Sequence, residues 1–451
     1  MAAIRDEIEL ASLDNKETYA TCEVNPATNQ NCTQNVILVD NRDKHHGIFQ
    51  LKKPKLSVER SRLCASFYML CILGFNDASL GGLITVMEPY YKVNHAIISL
   101  VFVFTTIGFI IAALTIGTLV ARVSLANTLL LGATFFTASY TLLCWAPPFW
   151  LLCVAYVILG FGAGIQDAGA NIYVAGLNRS SEKLNLLHGF YGIGAFVAPL
   201  VAAALLASGI QWNFYYLVNL GLAVINIPSV FYTFRIKKVE TLEDHSEPEQ
   251  SVSDDRNMLK EVLLKRATWI TAIFLLFYVG AEVSIGGWIV SFLVTVKNGD
   301  PDKMRIVASS FWAGIALGRF ALGIPTVRFG ERRMVVLYLV LAVGLKLVVW
   351  LVPEVIADSV CIAMVGVVLG PMFPTAISVV TKLTSQDLHA TTGGLVSSLG
   401  FAGAALFPFL TGVIASQQGI WVLEPFALSL FLGMLGLWIA LPRQKTPNNT
   451  Y

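Results

Sequence analysis

Charge in this chain is confined to a few segments, and the apolar stretches between them are too long for a water-soluble core. Of 451 residues, 31 are Lys or Arg and 29 are Asp or Glu. Eighteen of these charges sit in residues 1–62 and fifteen in residues 235–266, which leaves 27 for the other 357 residues. A soluble domain carries roughly 25% charge, so those 357 residues read as bilayer-embedded. Twelve apolar stretches, each of about 20 residues and so long enough to cross a hydrocarbon core, run over 63–87, 97–120, 124–145, 150–177, 185–207, 213–234, 267–296, 305–327, 333–352, 358–381, 391–415 and 421–441. The expected fold is an all-α integral membrane protein. A net charge of +2 gives no case for nucleic acid as a partner. The lipid bilayer is the expected partner, and the chain is expected to act as a monomer.

Residues 1–61 are polar and lack the apolar core of a signal peptide, so the first span is expected to act as an uncleaved insertion signal. Basic residues set the orientation. With the N-terminus inside, the cytoplasmic segments hold 25 Lys and Arg against four outside (Lys92, Lys297, Lys303 and Arg305), which places both termini in the cytoplasm. The plasma membrane is the expected location. The sequons at Asn31, Asn178 and Asn448 then lie on the cytoplasmic side, where glycosylation is not expected. Seven cysteines form no C-x-x-C pair and read as buried, inert thiols.

The polar segment 235–266 divides the spans six and six, giving bundles at 62–234 and 267–442 between the polar tails 1–61 and 443–451. Three fragments repeat in order. Asp77-x-Ser79-x-Gly81-Gly82 returns as Glu282-x-Ser284-x-Gly286-Gly287, Gly117-x-x-x-x-Arg122 as Gly323-x-x-x-x-Arg328, and Gly194-Ala-x-x-x-Pro199 as Gly403-Ala-x-x-x-Pro408. The offsets are 205, 206 and 209, which indicates a duplicated six-helix unit. Parallel halves with a solute site between them near the midplane are a transporter architecture.

The loop Gly323-Ile-Pro-Thr-Val-Arg328-Phe-Gly330-Glu331-Arg332-Arg333 resembles the cytoplasmic signature G-x-x-x-D-R/K-x-G-R/K-R/K-R/K of the major facilitator superfamily. It departs from the signature at Val327, where Asp is usual, and at Glu331; the first-half copy keeps Gly117 and Arg122 but has Ala121 and Ser124. The motifs Gly74-Phe-Asn-Asp77, Asp167-Ala-Gly-Ala-Asn171, Leu187-His-Gly-x-Tyr-Gly192, Tyr278-Val-Gly-Ala-Glu282 and Gly370-Pro-x-Phe-Pro374 resemble the fucose/glucose permease branch, including its fungal members. The resemblance implies a major facilitator fold whose spans 1, 4, 7 and 10 line a central cavity. It also implies that Asp77 and an acid of span 4, here Asp167, serve sugar binding and proton coupling.

Three acids lie deep in the spans. Asp77, Asp167 and Glu282 stand 15, 17 and 14 residues past Arg62, Trp150 and Thr268, which is roughly 20–25 Å into a core about 30 Å thick. A charge there is costly, so each acid either faces a cavity or holds helices together. Asn171 is four residues from Asp167 and shares its helix face. Asn76 points about 100° away from Asp77, so one of the two is expected to bond a neighbouring helix. Asp167 and Glu282 are the proton-coupling candidates. Asp77, Asn76, Asn171, Tyr191, Tyr278 and Trp288 are the substrate-binding candidates, the aromatic rings being suited either to stacking on a sugar or to core packing. The pairs Gly81-Gly82 and Gly286-Gly287 serve either bending during gating or close helix packing, and Arg319 and Arg328 join the gating set. Arg319 either snorkels or pairs with an acid, Lys346 is expected to snorkel, and His188, at the start of span 5, is expected to be a solvated or capping residue at an interface rather than a proton relay.

Without a Walker motif, H-E-x-x-H or a Gly-x-Ser-x-Gly elbow, nothing points to an enzyme, a cofactor or a metal, and the energy source is expected to be a gradient. The leading reading is a secondary transporter of a small, sugar-like or other polar solute, coupled to protons by alternating access. A proton-driven efflux pump for a fungal metabolite and a non-transporting nutrient receptor are the alternatives.

Overall fold

The computed structural model describes residues 8–9, 16–21, 35–40, 56–236, 260–385 and 388–442. Most of the polar tails and of the central loop, with Asn31 and Asn448, therefore lies outside the described residues. Three short strands, β1 (Ile8–Glu9), β2 (Lys16–Thr21) and β3 (Asn35–Asp40), pair antiparallel in that order as a unit of their own.

The membrane unit is all helix. Among the described residues, ten helices are long and apolar enough to cross a bilayer: α1 (Leu56–Tyr91), α2 (His95–Val123), α4 (Phe149–Ala175), α5 (Ser180–Ala207), α6 (Trp212–Ile236), α7 (Arg266–Thr295), α9 (Glu331–Leu351), α10 (Val355–Lys382), α11 (His389–Gln418) and α12 (Ile420–Ala440). α8 (Pro301–Ala321) forms an eleventh span together with the segment Gly323–Phe329, from which it is bent by 50°. The twelfth is α3 (Leu125–Leu143), whose four threonines and Asn127 lower its hydropathy but whose inner face is buried. The chain is thus a multi-pass integral membrane protein with six helices in each half.

Helix starts follow local chemistry. The Asn94 side chain accepts the Ile97 amide at 3.0 Å to cap α2. Asp300 accepts the Asp302 and Lys303 amides at 3.1 and 3.0 Å to cap α8, with Pro301 in the first turn. Even-numbered connections return the chain to one side, so α1 begins and α12 ends on the same face, termed here the near face. Arg62, opening α1, donates there to the Thr233 carbonyl at 3.1 Å, and Arg332 of α9 donates to the Leu441 carbonyl.

The duplication governs the packing. Membrane helices gain little from apolar burial alone and approach closely where residues are small. A Cβ on Gly108 of α2 would collide with the Val157 carbonyl of α4, and one on Gly160 of α4 with the Thr105 carbonyl of α2. Shifted by 206 residues, the same contacts recur as Gly314 of α8 on Ala363 of α10 and Gly366 of α10 on Phe311 of α8. Likewise Gly194 of α5 lies on the Cys71 carbonyl of α1, and Gly403 of α11 on the Leu276 carbonyl of α7. The halves meet through α2 against α11 and α5 against α8, with the Phe109 and Phe401 rings stacked at 6.0 Å.

Two charged residues have partners that the sequence does not announce, and one of them departs from its expected place. Lys346 does not snorkel: it is fully buried and pairs with Glu424 of α12 at 2.5 Å, because its position on α9 turns it into the second bundle. Glu331, the departure in the signature loop, accepts Lys382 at 2.7 Å and Ser378 at 2.8 Å and so ties α9 to the end of α10. Among the thiols Cys153 and Cys361 are buried as expected, whereas Cys64 is exposed on the outside of α1.

Candidate functional site

Helices α1, α2, α4, α5, α6, α7, α8, α10 and α11 enclose a cavity of about 190 Å³ between the halves. Drug-sized sites occupy about 300–1,000 Å³, so this one suits a smaller solute. Its wall is mostly apolar, contributed by residues such as Leu80, Phe102 and Val283, with a few polar groups converging on it.

Asp77, on α1, is exposed to the cavity. One carboxylate oxygen accepts the Asn76 amide at 3.0 Å and the other the Tyr191 hydroxyl at 2.9 Å. Asn76 is itself fixed by α3, since its carbonyl accepts the Tyr140 hydroxyl at 2.8 Å. That bond to a neighbouring helix turns the Asn76 amide back toward Asp77, so both residues of the pair line the cavity. Asp167 of α4 lines the same cavity. The Asn171 amide donates to its side chain at 3.0 Å and to its backbone carbonyl at 2.9 Å, while Asn171 itself stands behind the wall. The i, i+4 spacing that places the two on one face makes Asn171 a holder of Asp167.

Glu282 of α7 is held differently. Arg319 of α8 lies 3.6 Å from its carboxylate, with side-chain exposures of 16% and 9%. Of the two sequence readings for Arg319, pairing with an acid is the one the structure has. A span long enough to snorkel does not help Arg319, because its helix turns it into the cavity, where Glu282 is the nearer partner. The guanidinium also lies 5.8 Å from the centre of the Tyr191 ring. Asp77, Tyr191, Arg319 and Glu282 therefore form one continuous polar track from the first half to the second.

Two aromatic candidates sit elsewhere. Trp288 is fully buried between α7, α2 and α11, where its indole donates to the Pro408 carbonyl at 3.0 Å and its ring meets His95. Tyr278 is fully buried behind the wall, its ring 6.3 Å from Phe373 and its hydroxyl toward Glu282 and Arg319. Helical rotation carries Trp288, six residues past Glu282, off the face that Glu282 presents, whereas Tyr278, four residues before it, shares that face but is buried behind the wall. Of the two readings open for these rings, core packing is the one their burial fits.

The gating candidates separate likewise. Gly81 of α1 lies directly on the Gly286 carbonyl of α7, so the two repeat-related glycines form a crossing between the halves. Gly287 makes room for the Phe102 ring at the cavity wall, and Gly82 packs beside Ala202. Arg328 lies exposed at the end of the bent segment, away from the cavity wall.

Sequence reasoning missed several lining residues. His188, assigned to an interface, lines the cavity. Tyr156 and Tyr216 line it too, their hydroxyls bonded to each other at 2.7 Å. Phe373, within the Gly370–Pro374 motif, stands 206 residues after Asp167 and lines the cavity at the equivalent place. The repeat offset was the signal that could have found it.

A family model described as Major Facilitator Superfamily matches residues 67–408. The chain is 27% identical over 402 residues to "Bypass of stop codon protein 6" of Saccharomyces cerevisiae, covering 82% of this chain and 80% of that one. It is 20% identical over 395 residues to the glucose/mannose transporter GlcP of Bacillus subtilis, covering 85% and 94%. Among solved structures it is similar to the E. coli fucose:proton symporter FucP, with a TM-score of 0.58, 18% identity, and coverage of 84% and 98%.

Proposed function

The chain belongs to the Major Facilitator Superfamily, and on that premise we propose that it is a proton-coupled transporter of a neutral, monosaccharide-sized solute, working by alternating access. The observation that carries the reading is the environment of the two first-half acids. Asp77 and Asp167 line a small cavity between the halves, and hydrogen-bond donors without charge hold both. A carboxylate held in this way accepts sugar hydroxyls and can gain or lose a proton without breaking an ion pair. The relatives named as sugar transporters support the solute class.

In this reading Asp77, open to the cavity, binds solute, and Asp167, held by Asn171, is the protonation switch. A dehydrated cavity disfavours the charged form of a carboxylate, and water entry restores it. Protonation is thereby tied to which face the cavity opens to, which is the differential that coupling requires. Arg319 is the charge partner of Glu282 in this reading. The basic bias of the short loops supports cytoplasmic termini.

The test uses purified protein in liposomes with an imposed proton gradient and a panel of radiolabelled neutral hexoses. Accumulation of at least one hexose above equilibrium, abolished by a protonophore, is the expected result. Equilibration without accumulation would remove proton coupling, and no flux of any hexose would remove the solute class.

A further inference from the structure

Arg305 stands in the second turn of α8, on the face opposite the near face, and is 2% exposed. Its three guanidinium nitrogens have three separate uses. Nη1 bonds Asp302 of its own helix at 2.6 Å, three residues back. The other two cross to the first half: Nε donates to the Gly82 carbonyl of α1 at 2.9 Å, and Nη2 to the Thr85 hydroxyl at 3.3 Å. Four residues further along α8, the Ser309 hydroxyl donates to the Phe196 carbonyl of α5 at 2.6 Å. Beside Gly82 lies the Gly81–Gly286 crossing, and just inside it are the cavity residues Leu80, Trp312 and Gly287. The far face of the cavity is thus shut at α1, with a buried charge fastening the closure.

We propose that Arg305 is the latch of this far-side gate: it grips the Gly82 carbonyl and the Thr85 hydroxyl while the cavity is closed to the far face, and it releases both each time the cavity opens there. The design has a fixed part and a breakable part. Asp302 moves with Arg305 and is 44% exposed, so the guanidinium keeps a counter-charge in either state. Gly82 and Thr85 belong to the other half, so their bonds exist only when the halves meet. A contact made in one state and lost in the other is what shifts a conformational equilibrium. The latch is one-sided. The position 206 residues before Arg305 is Ser99, whose hydroxyl turns back to the Ala96 carbonyl at 2.7 Å and which closes its wing only by packing against Gly412.

This inference rests on the alternating-access reading, but its test needs no solute. In a cysteine-free background, a single Cys replaces the cavity residue Thr106, and a membrane-impermeant maleimide is applied to each face in turn. Arg305→Gln is expected to raise labelling from the far face several-fold and to lower it from the near face. Arg305→Lys, which keeps the charge but lacks the fork, should fall between, and Thr85→Val should give a smaller shift in the same direction. The Thr85 variant removes one hydroxyl and serves if Arg305→Gln does not fold. An unchanged far-to-near ratio in folded Thr85→Val and Arg305→Lys proteins overturns the latch. A shifted ratio in a chain that moves no solute keeps the latch and removes the transport reading. A chain that transports, but whose Arg305 variants label like the parent, removes the latch alone.

Discussion

The two halves share one helix-packing scheme and fill it with different chemistry. The buried polar groups of the first half are neutral. Gln166 donates to the Leu129 carbonyl at 2.6 Å and accepts Asn226 at 3.0 Å, Asn76 meets Tyr140, Tyr156 meets Tyr216, and Ser79 meets Tyr215 at 2.7 Å. The second half buries charge in pairs: Lys346 with Glu424, Lys297 with Asp358 at 3.4 Å, and Arg319 with Glu282. Asp77 and Glu282 occupy the same place in the repeat, yet one faces neutral donors and the other a guanidinium. Repeat equivalence fixes where a side chain stands and leaves its partner free to change. In the proposed reading, that freedom assigns proton exchange to one half and charge balance to the other.

If the second half depends on its ion pairs, the largest effect should follow from breaking the most deeply buried one. Lys346→Met leaves Glu424 without its partner and should destabilise the folded protein by about 3–5 kcal/mol. The paired replacement Lys346→Met with Glu424→Leu should recover most of that loss. Thermal unfolding in detergent measures both, and a double variant no more stable than the single one would mean that the stranded Glu424 charge is not the cause of the loss.

Glu282→Gln tests the cavity-side pair. It strands Arg319, but water in the cavity moderates the cost to at most about 3 kcal/mol, and a second change, Arg319→Gln, should restore stability without restoring transport. Were Glu282→Gln to lose only pH-driven accumulation and to keep full stability, proton exchange would move to the second half.

The first-half acids should separate by function. Asp77→Asn should weaken solute binding about 10- to 100-fold in every transport mode, the range expected for hydrogen bonds to a charged group. Asp167→Asn should leave counterflow near the parent level and abolish accumulation on a proton gradient. Counterflow beside pH-driven uptake reads both, and accumulation that survives in Asp167→Asn would reverse the assignment. Tyr191→Phe should be the mildest change. It removes one hydroxyl from Asp77 and keeps the ring under Arg319, at a cost of about 1 kcal/mol or roughly fivefold in affinity.

The architecture was legible because its causes are written along the chain. Hydrophobic length fixes the spans, and the offsets of 205 to 209 residues announce the duplication that the contacts of Gly108, Gly160, Gly314 and Gly366 then obey. The depth of Asp77, Asp167 and Glu282 followed from counting residues at 1.5 Å each. Pairing did not follow. Arg319 could have reached an interface, Lys346 looked near one, and Trp288 is one helical turn and a half from Glu282 yet faces another helix. Depth in a membrane is a property of one segment, whereas partnership depends on the rotation of two helices about their axes. That rotation is set by where small residues let backbones touch, and those contacts join residues such as Gly194 and Cys71, or Arg305 and Gly82, that are far apart along the chain.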